Sequence, residues 1–139
     1  MLGLSCGAIS IEPDATTKLV RGPDGKLELV GIESADPRWI RDSAEALVET
    51  SHRLRAIGTI ASTLCQVAAA RLDGMTTLRR CRSVDAAAAQ LIVREAGGHV
   101  AFTACADPLG APLDLEPHSP VVAARTPAGL RELAGIARR

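Results

Sequence analysis

The sequence predicts an α/β layered fold with a largely parallel sheet, on three observations. Short apolar runs alternate with stretches whose apolar residues recur at helical spacing. Capping and turn residues mark nearly every junction between them. A chain of 139 residues that is 47% hydrophobic is long enough to bury one core, and Trp39 and Phe102 are its only aromatic residues, so that core is aliphatic. We read residues 1–139 as one domain in three segments: strands, a hairpin and a helix over 1–52, a central segment over 53–103, and a loop, strand and helix over 104–139.

Ser5 to Ile11 reads as a buried strand ended by Pro13-Asp14. A core strand so close to Met1 suggests that something normally precedes it. Lys18 to Ile32 reads as two strands around the turn Gly22-Pro23-Asp24-Gly25. Asp36 is placed to cap a helix over 37–50, with Pro37 in its first turn and Ile40, Ala44, Leu47 and Val48 facing the core. A strand from His52 to Ile57 runs into Gly58-Thr59 and a helix to about Arg71, buried through Ile60, Leu64, Val67 and Ala68. Leu72 to Leu78 is a strand entered at the Asp73-Gly74 corner. Ser83 can cap a helix over 84–96, buried through Ala88, Leu91 and Ile92 and stopped by Gly97-Gly98. Strand His99 to Thr103, a loop from Ala106 to Pro120, strand Val121 to Ala124 and a helix capped at Thr126-Pro127 complete the chain.

The net charge of zero hides an asymmetry, because residues 1–50 are acidic and residues 51–100 are rich in arginine. The basic middle suits an anionic ligand, or ion pairs with the acidic first third. A neutral chain with two aromatic rings does not fit a general nucleic-acid binder, which tracks phosphates and stacks bases. No apolar run approaches the ~18 residues that span a bilayer. Cys6, Cys65, Cys81 and Cys105 show no metal-ligand spacing, and His52, His99 and His118 are scattered. All four cysteines read as reduced thiols of a cytoplasmic protein.

Chemistry concentrates in Ser83-Val84-Asp85-Ala86-Ala87-Ala88-Ala89-Gln90-Leu91-Ile92-Val93-Arg94-Glu95-Ala96-Gly97-Gly98. Asp85 falls in the first turn of a helix, at the mouth of a strand-to-helix connection where open α/β sheets bind ligands. On position alone it either meets a ligand or only stabilises the helix end. Upstream lie Arg55-Ala56-Ile57-Gly58-Thr59-Ile60-Ala61 and Cys65-Gln66-Val67-Ala68-Ala69-Ala70-Arg71-Leu72-Asp73-Gly74. In order and spacing, these segments resemble two signatures of the inositol monophosphatase family, the Mg²⁺-dependent, lithium-sensitive sugar and polyol phosphatases. The resemblance covers roughly residues 53–103 and extends to the last strand and helix. It implies the C-terminal half of the inositol monophosphatase and fructose-1,6-bisphosphatase fold.

The resemblance also implies roles. Asp85 would be the metal ligand from the family's C-terminal half, for Mg²⁺, and would also contact substrate. Gly58, Thr59 and Ile60 would line the substrate hydroxyl site. The family's Glu-Glu pair and Asp-Pro-Ile-Asp-Gly-Thr motif, which supply the other metal ligands, do not occur here. Val84 replaces the aromatic residue before the metal aspartate, and Ile60 replaces a small residue. Where family members carry a hydroxyl-binding acid, Thr76 to Val84 carries Arg79, Arg80 and Arg82 instead. Those arginines suit a second anionic group on a phosphorylated small-molecule substrate, or form a solvated basic face. The expected activity is that of a Mg²⁺-dependent phosphomonoesterase present as a C-terminal portion and inactive alone. A missing N-terminal half would carry the rest of the metal site, and a homodimer would cover the apolar sheet and helix faces that a half-domain leaves. The alternative is a non-catalytic interaction or regulatory protein that retains the fold.

Overall fold

The structure, a computed structural model, describes residues 4–6, 9–11 and 21–137. The elements in chain order are β1 (Leu4–Cys6), β2 (Ile9–Ile11), β3 (Leu27–Glu33), α1 (Pro37–Thr50), β4 (Ser51–Arg55), α2 (Ile60–Ala68), β5 (Gly74–Thr77) and β6 (Cys81–Arg82). A 3-10 turn (Ser83–Asp85) then leads into α3 (Ala87–Glu95), β7 (His99–Phe102), β8 (Pro117–Ser119), β9 (Val121–Ala124) and α4 (Pro127–Ala137).

Five strands form the central sheet in the order β4-β3-β5-β9-β7. It is mixed rather than largely parallel: β3 runs parallel to β4 and β5, while β9 is antiparallel to β5 and β7. The parallel pairs are joined through helices, which a parallel crossover needs. The connection from β7 to β9 contains no helix and permits an antiparallel return.

Helices cover both faces. α2 and α3 pack together on one side, over Leu64, Val67, Met75, Val93, Val100 and Phe102. α1 and α4 pack on the other, over Val30, Ile32, Leu47, Leu133 and Ile136. Strand β9 shows the strand period of two directly. Val121 and Ala123 belong to the first cluster, Val122 and Ala124 to the second, and all four are fully buried.

Local chemistry sets the helix ends. The Asp36 carboxylate accepts from the Arg38 N–H at 2.8 Å, with Pro37 at the first position of α1. The turn expected at 22–25 is present, with the Gly25 N–H donating to the Gly22 carbonyl at 2.9 Å and Gly25 at φ +77°. The expected strand before Arg21 and the Pro13-Asp14 break lie outside the described residues. Helix α3 ends as expected. The Gly98 N–H donates to Val93 at 2.9 Å and the Gly97 N–H to Arg94 at 3.0 Å, with Gly97 at φ +85°.

Other expectations are corrected. The strand read over 5–11 is two short antiparallel strands, β1 and β2. Ser83 does not cap α3, because its hydroxyl donates to the Pro112 carbonyl and a 3-10 turn precedes the helix. The core face of α3 is Ala89 and Val93, preceded by Ala86, while Leu91 is half exposed. Four consecutive alanines carry no hydrophobic period, so the sequence left that phase unset. In α1, Ala46 and Leu47 are buried and Val48 is exposed. Helix α2 stops at Ala68, three residues before Arg71, and Ala70 takes a left-handed φ of +59°. The loop read over 106–120 contains β8, which pairs with β6. Cys81 and Cys105 are free thiols, but Cys65 is in a disulfide. Disulfide pairing depends on Cα separation in the fold, which spacing along the chain does not show.

Candidate functional site

A cleft of about 460 Å³ opens at the carboxyl ends of β3 and β4. It is lined by Glu33 and Ser34, by Gly58, Thr59, Ile60 and Ala61, and by Asp85. Each group arrives on a separate connection: the end of β3, the link from β4 into α2, and the turn before α3. The carboxyl ends of parallel strands are where open α/β sheets place ligands, because the helices leave on opposite faces there.

The Gly58–Ala61 wall owes its shape to three local features. Gly58 has φ +101°, a backbone state that L side chains rarely adopt. The Thr59 hydroxyl accepts from the Ser62 N–H at 3.0 Å and so caps α2. The N–H groups of Ile60 and Ala61, the first two of α2, have no carbonyl a turn earlier within the helix, so they are available to an oxygen-rich ligand.

Sequence reading missed the far wall. Glu33 is 4% exposed, and its carboxylate accepts from the Thr63 hydroxyl at 2.5 Å, the Ile57 N–H at 3.1 Å and the Gly58 N–H at 3.2 Å. It therefore pins the Gly58 turn to the end of β3. Ser34, next to it, has φ +56°, a left-handed state uncommon outside glycine. The only sequence signal was an acid ending an apolar strand.

Asp85 lies on the cleft as expected, but its oxygens are engaged. Arg82 Nε donates to one at 3.0 Å and Nη2 to the other at 3.1 Å. The other two arginines read as anion contacts go elsewhere. Arg79 stacks over the Trp39 ring at 5.0 Å, and Arg80 donates to the His118 carbonyl at 2.8 Å. Arg79 and Arg80 do not line the cleft, and Arg82 reaches it only through Asp85. Beneath this wall, burial pushes the Cys81 thiol up to about 11, assisted by the negative charge of Asp85.

The described residues alone do not fit a Mg²⁺ site. That ion takes several oxygen ligands in octahedral array. Here one cleft carboxylate is chelated by Arg82 and the other is held by N–H and O–H donors. Among the described residues no group of three or more His, Cys, Asp or Glu could hold a metal.

A family model described as the inositol monophosphatase family matches residues 14–138. The chain belongs to the inositol monophosphatase family. Solved structures of the same fold include the extragenic suppressor protein SuhB from Bartonella henselae, 21% identical with a TM-score of 0.64, which covers 96% of this chain and 49% of that one. Inositol monophosphatase from Anabaena (Nostoc) sp. PCC 7120 is 23% identical with a TM-score of 0.62, covering 97% of this chain and 52% of that one. Staphylococcus aureus inositol monophosphatase II with inositol monophosphate bound is 20% identical with a TM-score of 0.63, covering 97% and 49%. The chain thus spans about half the length of these family structures. No curated protein sequence matches it. Among the described residues, no helix is long and apolar enough to cross a membrane.

Proposed function

We propose that this chain forms the substrate-binding side of an inositol-monophosphatase-like phosphomonoesterase acting on a polyol or sugar phosphate. One observation carries the reading: Gly58, Thr59 and Ile60 converge with Asp85 on a single cleft. Family membership supports a phosphatase role, and the neutral donors at the start of α2 suit both hydroxyls and phosphate oxygens. In this reading Gly58, Thr59 and Ile60 contact the polyol and Asp85 faces the phosphoester. Mg²⁺ is the family's cofactor. With both Asp85 oxygens on Arg82 and one Glu33 oxygen on its own loop, hydrolysis requires further oxygen ligands, and no hydrolytic step is assigned to this chain alone.

The test is a titration of the 139-residue protein with inositol monophosphate, followed by backbone amide NMR. Shifts concentrated at Gly58 to Ala61 and at Asp85 are expected, and shifts confined to other surfaces refute the reading. The Arg82 pair on Asp85 favours a second reading, a non-catalytic binding or regulatory protein that keeps the fold. Assay of the purified chain for Mg²⁺-dependent phosphate release is expected to show none. Lithium-sensitive release would overturn that expectation and the second reading with it.

A further inference from the structure

Glu33 is a nearly buried carboxylate on the wall of the cleft, and its contacts are unequal. Oε1 takes three donors: the Thr63 hydroxyl at 2.5 Å, the Ile57 N–H at 3.1 Å and the Gly58 N–H at 3.2 Å. Oε2 takes only a share of the same Gly58 N–H, at 3.2 Å. A carboxylate offers about four acceptor sites across its two oxygens. Oε1 is therefore saturated, while Oε2 keeps acceptor capacity at a residue that lines the cavity. Its partners among the described residues are two backbone N–H groups and one hydroxyl, with no cation among them. Ser34, which follows, holds a left-handed φ of +56° at the end of β3, a state that persists only where the surrounding structure determines it.

We propose that Glu33 Oε2 accepts a hydroxyl of the polyol and sets a preference for hydroxyl-bearing phosphate esters over bare phosphate. This rests on the placement of the substrate in the cleft argued above. A charged acceptor aimed at a hydroxyl discriminates strongly, because a ligand without that hydroxyl leaves a buried lone pair unmet.

The experiment compares the full chain with Glu33→Gln, titrating inositol monophosphate, its single-deoxy analogues and inorganic phosphate, all followed by NMR. Glutamine keeps a carbonyl for the Oε1 contacts and turns the other position into a donor. The expected result is about a tenfold weaker affinity of the variant for inositol monophosphate. Inorganic phosphate should bind the variant as well as the wild type or better. For at least one deoxy analogue the two proteins should bind equally. Equal losses for inositol monophosphate and inorganic phosphate would mean that the Gly58 turn had moved, and would overturn the proposal. No loss at all would overturn it too, while leaving the cleft as the substrate site. Absence of any cleft shift in the wild type would overturn both readings. A measurement that needs no variant is the ¹³C resonance of the Glu33 carboxyl, which should move with inositol monophosphate and stay with inorganic phosphate. An unmoved resonance refutes the proposal even if Glu33→Gln does not fold.

Discussion

Replacing Thr63 with valine removes one hydroxyl from the support of the cleft and leaves the side-chain volume nearly unchanged. Thr63 is fully buried, and its hydroxyl donates to Glu33 at 2.5 Å. A hydrogen bond to a charged group is worth roughly 1.5–3 kcal/mol. Glu33 keeps its two N–H donors from Ile57 and Gly58, which places the expected loss near the middle of that range, about 2 kcal/mol. With a urea dependence of roughly 2 kcal/mol per molar for a small domain, the unfolding midpoint should fall by about 1 M. Equilibrium urea unfolding followed by circular dichroism reads this directly. A double-mutant cycle with Glu33→Gln should give a coupling energy of about 1 kcal/mol or more, because the two side chains touch. A midpoint unchanged within about 0.2 M, or strictly additive effects, would show that the Thr63 to Glu33 contact does not support the cleft.

Gly74→Ala would push a Cβ to 2.7 Å from the Ala123 carbonyl and into Leu133, so about 1–3 kcal/mol of stability should be lost, with a lower melting temperature. A melting temperature within a degree of wild type would contradict that packing. Cys81, pushed by burial to about 11, should resist alkylation at pH 8 in the native protein, while the partly exposed Cys105 reacts first; mass spectrometry of the modified sites checks the order. Asp36, beside Arg38, and Asp114, beside His118, are both held below the ordinary carboxylate range. Their contribution to stability is therefore complete above the unfolded value near 4 and lost as pH falls through the lower folded values. Asp36→Asn should flatten the acid limb of the stability curve, and an unchanged limb would argue against the contact. Inositol monophosphate shifts at Gly58 to Ala61 should persist in a chelator, since no described group there holds a metal; their loss on chelation would show a cation in the cleft.

What the sequence made legible is local and chemical. Asp36-Pro37, Gly97-Gly98 and Thr126-Pro127 each carry their own terminal hydrogen-bonding solution, and each marks a helix end in the fold. Gly58, Thr59, Ile60 and Asp85 could be placed together because residue type and spacing survive in the family pattern. The phase of α3 could not, since Ala86 to Ala89 give every face the same hydrophobicity. Strands β6 and β8, two and three residues long, pair across more than thirty residues and have no period to read. Glu33 was missed for a different reason. Its partners are mostly backbone N–H groups, which every non-proline residue has, so no residue pattern advertises the contact.

The position of the cleft follows from topology more than from any one side chain. The chain leaves β3 through α1 to reach β4 at the sheet edge, then returns through α2 past β3 to β5. Because α1 and α2 cover opposite faces, the connections after β3 and β4 diverge and a crevice opens at their carboxyl ends. Glu33 closes it from one side and the start of α2 from the other, joined through the Ile57 and Gly58 N–H groups. Recognition of hydroxyls needs only prearranged neutral donors and one acceptor, and this geometry supplies both. Mg²⁺ takes carboxylate oxygens and waters in octahedral array, whereas both Asp85 oxygens go to Arg82 and the saturated oxygen of Glu33 goes to its own loop. The Gly58 turn with its Glu33 anchor and the arginine-paired Asp85 therefore reach the cleft on separate connections, each held by its own hydrogen bonds.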